Sequence, residues 1–367
     1  MGEEIVIISP ELQRGAGGLA DYTLRVVEEW GGRWPLRFVV PEPAGASDLA
    51  EGNVETISRR ADALRNVLPR TGGRVFLQYS AYGYDAWGYP RWLLHELVNW
   101  KQRSGGLLVV MLHEIWTMWP RLNKNYLVQQ LHRRDLRKLV ACADATFTST
   151  PSQAELVASN SRSAVQVLPV GTNIGVSADV ANARETGTAV LFGLHGSRIR
   201  TLRQMHDQLK ELAAARVLTR IVTVGEGSGG LQDEERTLLA ALNLAAGHEQ
   251  RGALAEAEVS QMLARASFAL STQDELSVTK SGSFMAYAAH GLNIITLVAN
   301  PASAEPICWV TSPHELVRGI SDEELAERSK KLGEWQERTA SWPRIAAHFA
   351  QALHLHATAE AATIALT

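Results

Sequence analysis

Short, almost uninterrupted apolar runs alternate with amphipathic stretches along this chain, break off once near its middle, and then resume. In the first half the runs are Ile5–Ile8, Leu36–Val40, Val75–Tyr79, Leu107–Leu112, Ala145–Thr148 and Val165–Val170. A strand that is apolar on both faces must be buried on both, which is the condition of a parallel sheet with helices above and below. Residues 19–31, 59–67, 90–103, 124–141 and 152–160 carry the helical period between those runs. In the second half the runs are Ala189–Phe192, Arg220–Val224, Phe268–Ser271, Ile294–Leu297 and Cys308–Val310. Helices are expected there at 200–215, 231–245, 256–265 and 283–290, with two more near 322–338 and 342–358. The pattern predicts an α/β chain of two Rossmann-like, doubly wound domains facing across a cleft. The first domain is read as 1–171, the linker as 172–187 and the second domain as 188–340. Residues 341–367 close the chain with a helix that is free to pack back on the first domain.

A length of 367 residues with 46% hydrophobic and 20% charged residues suits two folded domains. The net charge of −3 offers no electrostatic basis for nucleic-acid binding. Cys142 and Cys308 have neither metal-ligand nor redox-motif spacing and read as small core hydrophobes in a reducing compartment. Met1-Gly2-Glu3-Glu4 lacks a basic leader region, and no stretch reaches membrane-spanning length. The expected location is cytoplasmic, at most peripheral to the inner face of a membrane.

Several loops at expected strand ends carry chemistry. Gly15-Ala16-Gly17-Gly18 opens the first long helix, where glycines permit close backbone approach and helix N–H groups favour an anion. Those glycines fit a phosphate or a tight packing turn equally well. Gly225 and Gly227 lie in a formal GxGxxG, but in the second domain and after its second strand, which is the wrong place for a dinucleotide site. Lys280, Ser281 and Gly282 precede an expected helix and join a cation, a hydroxyl and backbone N–H groups, a set suited to a diphosphate. His113 follows a strand and can hydrogen-bond a sugar hydroxyl or a nucleophile, or be satisfied by backbone. His113-Glu114 is not a zinc motif, because Thr117 stands where the second histidine should be. Tyr82, Tyr84 and Trp116 belong to an aromatic cluster between 79 and 119, either a stacking rim for an acceptor or satellite core beneath loops. No Asp-x-Asp and no GxSxG occurs in the chain.

The order of these segments resembles the GT-B glycosyltransferases, specifically the large retaining family 4. The residues that carry the likeness are the Gly15–Gly18 loop with its helix, Phe76-Leu77-Gln78-Tyr79 and Met111-Leu112-His113-Glu114-Ile115-Trp116. Residues 143–151 (ADATFTSTP), Val224-Gly225-Glu226-Gly227 and residues 280–291 (KSGSFMAYAAHG) continue it across nearly the whole chain. The resemblance implies metal-independent, retaining transfer of a sugar from a nucleotide-diphosphate donor to an acceptor hydroxyl. It makes the first domain the acceptor side and the second the donor side. It needs no cofactor beyond the nucleotide sugar as co-substrate, and leaves a sugar, a lipid-linked or a small-molecule acceptor open. It also implies that His113 contacts the sugars, and that Gly17, Gly18, Arg198, Arg200, Gly225, Gly227, Lys280, Ser281 and Gly282 surround the donor.

The chain departs from that family at several points. Leu194 and Ile199 replace the usual diphosphate-binding arginine and lysine, with Arg198 and Arg200 flanking. Val278 and Ala286 stand where the family's glutamate pair would be, leaving Glu275 as the nearest carboxylate upstream. Two other readings therefore stay open: a non-catalytic GT-B binding or partner subunit, and another GT-B chemistry such as nucleotide-sugar epimerisation. Finally, residues 121–138 hold six Lys or Arg against Asp135, interleaved with leucines. That stretch suits an anionic membrane surface or a solvated basic face over packed core.

Overall fold

The computed structural model describes residues 4–15, 18–43, 53–116, 123, 125–158, 164–176, 184–227 and 229–355. Gly17, with parts of the expected linker and of the 121–138 stretch, lies outside them. The chain divides into two compact units: Met1–Pro169 with Trp342–Thr367, and Val170–Ser341.

Unit 1 contains strands β1 (Ile5–Ile8), β2 (Leu36–Pro41), β3 (Val54–Ile57), β4 (Arg74–Ser80), β5 (Leu107–Glu114), β6 (Ala145–Thr148) and β7 (Gln166–Val167). Its helices are α1 (Gly18–Trp30), α2 (Ala61–Val67), α3 (Ala81–Tyr84), α4 (Arg91–Ser104), α5 (Tyr126–Cys142) and α6 (Pro151–Ala158). Unit 2 contains β8 (Glu185–Phe192), β9 (Arg220–Val224), β10 (His248–Gln250), β11 (Ala266–Leu270) and β12 (Asn293–Ile295). Its helices are α7 (His195–Gln204), α8 (His206–Ala214), α9 (Gly230–Ala240), α10 (Glu256–Arg265), α11 (Gly282–Ala289), α12 (Pro313–Val317) and α13 (Asp322–Ala340). The last helix, α14 (Trp342–Ala352), belongs to unit 1.

Both sheets are parallel. Unit 1 has the order β3-β2-β1-β4-β5-β6-β7 and unit 2 the order β10-β9-β8-β11-β12. Strand order reverses direction between β1 and β4, and again between β8 and β11. In open α/β sheets a crevice forms at such a switch point, outside the carboxyl ends of the strands.

Alternation along the strands sorts side chains to two covers. In unit 1, Val6, Ile8, Val75, Leu77, Leu108 and Val110 join one core with residues of α2, α4 and α5. The opposite face holds Phe76 and Phe147, which meet Phe349 of α14 at ring distances of 4.7 and 5.0 Å. The indole of Trp30, at the end of α1, donates to the Ala346 carbonyl at 3.0 Å. In unit 2 one face packs on α10, α11 and α13 and the other on α7, α8 and α9.

The structure also departs from the sequence expectations. The edge strands β3 and β10 were not expected, and neither was α12, which Ser312 opens with a capping box to Glu315. Residues 200–215, expected as one helix, form α7 and α8, broken at Met205. Cys308–Val310 is not a strand: Ile307–Trp309 makes a 3-10 turn, and only Thr311 bridges to Ile295. β8 begins at Glu185, inside the stretch expected as linker.

Removing the Phe349 ring tests how far unit 1 depends on α14. Phe349→Ala should lower unit 1 stability by roughly 3–5 kcal/mol, read by urea unfolding followed through tryptophan fluorescence. A loss below about 1 kcal/mol would mean that α14 is not part of that core.

Candidate functional site

In unit 2 three loops meet at the carboxyl edge of the sheet. The turn after β8 contains Gly193, the turn after β9 contains Gly225 and Gly227, and α11 starts at Gly282. A Cβ on Gly225, whose φ is +132°, would lie 2.3 Å from the Gly193 carbonyl oxygen. Only glycine permits that approach and that backbone angle. A Cβ on Gly193 would lie 3.8 Å from Ser283 Oγ, and one on Gly227 would lie 3.3 Å from His195 Cε1. The turn that leads into α7 is therefore beside the first turn of α11.

Arg198 fastens these loops. It is 3% exposed. Its Nε and Nη2 donate to Glu235 of α9, each at 3.0 Å. Nη1 donates to the Gly193 carbonyl at 2.6 Å, and both Nη1 and Nη2 donate to the Glu226 carbonyl at 3.2 Å. All five guanidinium N–H groups are used by the protein. The expectation that Arg198 faces a diphosphate is thus corrected: it shapes the loops. Burial pushes the Glu235 carboxyl up, but hydrogen bonds from Arg198 and Thr223 outweigh it and hold the group below the usual glutamate range. Tyr287 of α11 adds a second clamp, accepting from the Phe192 N–H at 2.7 Å and donating to its carbonyl at 3.1 Å. Burial raises the Tyr287 phenol well out of the titrating range, so it remains a neutral donor.

Ser281, Gly282 and Ser283 form the opening of α11. Ser281 Oγ accepts from the Phe284 N–H at 3.2 Å and lies 3.2 Å from Ser283 Oγ. The first-turn N–H groups of Gly282 and Ser283 have no acceptor within their own helix. Nothing lies within 4 Å of where a Gly282 Cβ would be. Lys280 is exposed just before this turn. Arg200 is elsewhere: it is exposed on the outer side of α7, in a depression of about 370 Å³ shared with Arg203 and Leu231 of α9.

Glu275 is exposed on the loop after β11. It lines a depression of about 260 Å³ with Leu276, Val298, Asn300 and Ile307. Its neighbour Asp274 is occupied, accepting from the N–H groups of Leu276 and Ser277 at 3.1 and 3.0 Å. Val278 and Ala286, where the sequence resemblance would place a glutamate pair, are both buried in the apolar core of unit 2.

In unit 1, His113 sits at the end of β5 on the α1–α14 face. Its Nε2 is 2.7 Å from Gln78 Oε1, which fixes Nε2 as the protonated nitrogen. The Tyr22 ring meets His113 edge-on at 4.8 Å and is itself packed on Trp342 and Phe349. Gln78 Nε2 and the Tyr22 hydroxyl are buried without a hydrogen-bond partner. Sequence reasoning missed both; the available signal was a glutamine inside the apolar run 75–79. Gly18 is exposed at the start of α1, and the Gly15 N–H donates to Asp21 Oδ1 at 2.9 Å.

Two aromatic expectations are corrected here. Tyr84 is fully buried, its hydroxyl donating to the carbonyls of Ile8 and Gln78 at 3.1 and 2.8 Å. Trp116 is buried with the guanidiniums of Arg133 and Arg137 at 5.2 and 5.9 Å from its ring. Tyr82 is half-exposed, and its ring lies against Gly88.

No family model and no curated protein matches the chain. Among solved structures it is similar to Anabaena HepE in complex with UDP and glucose, with 12% identity and a TM-score of 0.60 over 97% of this chain and 100% of that one. It is likewise similar to sucrose-phosphate synthase from Thermosynechococcus elongatus, with 14% identity and a TM-score of 0.59 over 95% and 98%. The same holds for an alpha-glucosyltransferase in complex with UDP, with 10% identity and a TM-score of 0.59 over 96% and 100%. The chain has the GT-B fold, an α/β architecture of two parallel-sheet domains.

Breaking the buried pair tests the loop clamp. Arg198→Met leaves a buried carboxylate with only Thr223 and His195 beside it and should lower unit 2 stability by roughly 3–5 kcal/mol at neutral pH. Because the folded Glu235 titrates below its ordinary value of 4.5, the pair's contribution is full above that value and fades as pH falls through the lower folded one. The gap between wild type and Arg198→Met, measured by urea unfolding, should therefore shrink on acidification. A gap independent of pH would mean that Glu235 is not the partner that matters.

Proposed function

We propose that this chain is a glycosyltransferase moving a sugar from a nucleotide-diphosphate donor, with UDP the first candidate, to an acceptor hydroxyl. The observation that carries the reading is the adjacency of the turn entering α7 and the first turn of α11 at the switch point of unit 2, with Lys280 just before the latter. Two helix starts present unsatisfied N–H groups and positive dipole ends to the same place, and Lys280 adds a full charge. Negative charge builds on a nucleoside diphosphate as it leaves the sugar, and groups already aimed at that charge lower the barrier. Ser281, Gly282, Ser283 and Lys280 would hold the diphosphate, with Gly225 and Gly227 shaping the wall. The solved structures of this fold that hold UDP support that choice of nucleotide.

In this reading Glu275 contacts the donor sugar, because its carboxylate is exposed and no hydrogen bond or ion pair holds it among the described residues. His113, oriented by Gln78 and Tyr22, hydrogen-bonds a sugar hydroxyl from unit 1. Transfer proceeds with retention and without a metal. One observation favours a second reading: the family's glutamate positions are closed inside the core. A binding or partner subunit that holds the nucleotide without transferring sugar would have the same feature.

Thermal-shift measurements with UDP, GDP, ADP, dTDP and NAD test the proposal. UDP at a hundred times its dissociation constant should stabilise the chain by about 2.7 kcal/mol. Lys280→Ala should weaken UDP binding by about ten-fold to a hundred-fold. His113→Ala should leave UDP affinity unchanged while slowing sugar release from UDP-sugars. UDP binding without any sugar release would select the second reading; a shift with NAD alone would overturn both.

A further inference from the structure

Helix α5 has a surface that the donor and acceptor assignments leave unused. Its core face buries Gln129, His132, Asp135, Leu136, Leu139 and Val140. Leu127 is 73% and Leu131 50% exposed, and Arg134 and Lys138 continue the same outward stripe over the next two turns. Beside that stripe is a groove of about 420 Å³ lined by Gln130, Arg133, Arg134, Arg137, Lys138 and Ala141, with no carboxylate in its lining. The helix's one acid, Asp135, is turned inward, where it accepts from Tyr89 and binds His95 at 2.7 Å and Lys138 at 3.2 Å.

The groove is only partly satisfied among the described residues: Arg137 Nη2 donates to the Leu156 carbonyl at 3.2 Å. Arg133 and Arg137 both lie over the indole of Trp116, and the Nε atoms of both, with Gln130 Nε2, are buried without a hydrogen-bond partner. Burial, and then the charge of Arg133, push the Arg137 guanidinium below its ordinary pKa. Two neighbouring guanidiniums with no carboxylate in the groove lining attract an anion, and phosphate oxygens match their donor geometry.

A free phosphate would use the arginines and leave Leu127, Val128 and Leu131 in water. An anionic bilayer presents phosphates and acyl edge together, on the scale of a helix lying flat. The stretch from Leu127 to Lys138 is about 16 Å long. We propose that α5 docks this protein on an anionic phospholipid surface, with headgroup phosphates in the arginine groove and Leu127 and Leu131 at the acyl boundary. Among the described residues no helix is long and apolar enough to cross a membrane, so the contact is a surface one. The inference is independent of the glycosyl-transfer reading.

Vesicle flotation of the full chain tests it. The protein should float with vesicles of phosphatidylglycerol and phosphatidylcholine in equal parts, not with phosphatidylcholine alone, and salt should release it. Arg134→Gln should weaken partitioning about five-fold, and Leu127→Ser with Leu131→Ser by roughly ten-fold or more. These side chains are exposed, so thermal melts of the variants should match wild type; Arg133 and Arg137 cover Trp116 and are unsuited to this purpose. Failure to float with anionic vesicles would overturn the proposal, as would flotation unchanged in the variants. Stabilisation by inorganic pyrophosphate that Arg134→Gln abolishes and Lys280→Ala leaves intact, without vesicle binding, would assign the groove to a free anion instead.

Discussion

A parallel sheet must be covered on both faces, and in unit 1 part of one cover comes from the far end of the chain. Phe76 and Phe147 on the sheet are capped by Phe349, and the Trp30 indole is tied to the Ala346 carbonyl. The first unit is therefore complete only when the last helix has returned, and the whole of unit 2 is an insertion between Pro169 and Trp342. The consequence reaches the candidate site. Tyr22, the ring that meets His113, is held from behind by Trp342 and Phe349. The orientation of a polar side chain at a strand end thus rests on aromatic packing contributed more than two hundred residues later in the sequence.

Unit 2 solves a different problem, which is to hold glycine loops still without blocking the space they border. Glycine lets the β8 and β9 turns touch, but it also makes both turns entropically loose. A buried guanidinium that spends every donor on two loop carbonyls and one carboxylate removes that looseness. Tyr287 pins the end of β8 from the other side. With the loops fixed from beneath, the charge available to a ligand is carried by the exposed Lys280 and by the helix starts. Preorganised donors of that kind need no rearrangement when charge develops beside them.

The strands were legible in the sequence wherever burial on both faces made the run continuously apolar. Two of the four edges were not: β3 (Val-Glu-Thr-Ile) and β10 (His-Glu-Gln) are short, polar and paired on one side only, whereas the edges β7 and β12 overlap expected apolar runs. Cys308–Val310 shows the converse error, since an apolar triplet is also what a buried 3-10 turn requires. In unit 1, His113 was singled out because a polar residue ended an apolar run. Gln78 gave the same signal and was passed over inside its strand. Arg198 and Arg200 could not be told apart by sequence, because what separates them is Glu235, a partner 37 positions away on another helix. Tyr84 and Trp116 misled for a related reason: an aromatic in a short loop suits a stacking rim and a loop's own core equally well.

The two positions where the sequence resemblance would place a glutamate pair have a structural meaning of their own. Val278 and Ala286 are both part of the apolar cluster that packs α11 on the sheet. A carboxylate restored at either position would be buried, and burial drives such a group toward its neutral form unless a cation accompanies it. Restoring the pair one residue at a time would therefore disturb the core before it rebuilt any chemistry. If this chain transfers sugar, the anionic group near the donor has to stand on the surface loop after β11 rather than on the helix. Glu275 meets that condition, for it is exposed and, among the described residues, unheld, while its neighbour Asp274 is consumed in shaping the turn. The cost of such an arrangement is orientation: a carboxylate on a loop is steered by less packing than one on a helix. The rigid parts of the unit, the Arg198 clamp and the Tyr287 staple, lie on either side of the strand end that the donor would border. In the proposed reading they would fix where the diphosphate sits, and so confine the sugar to the reach of that loop.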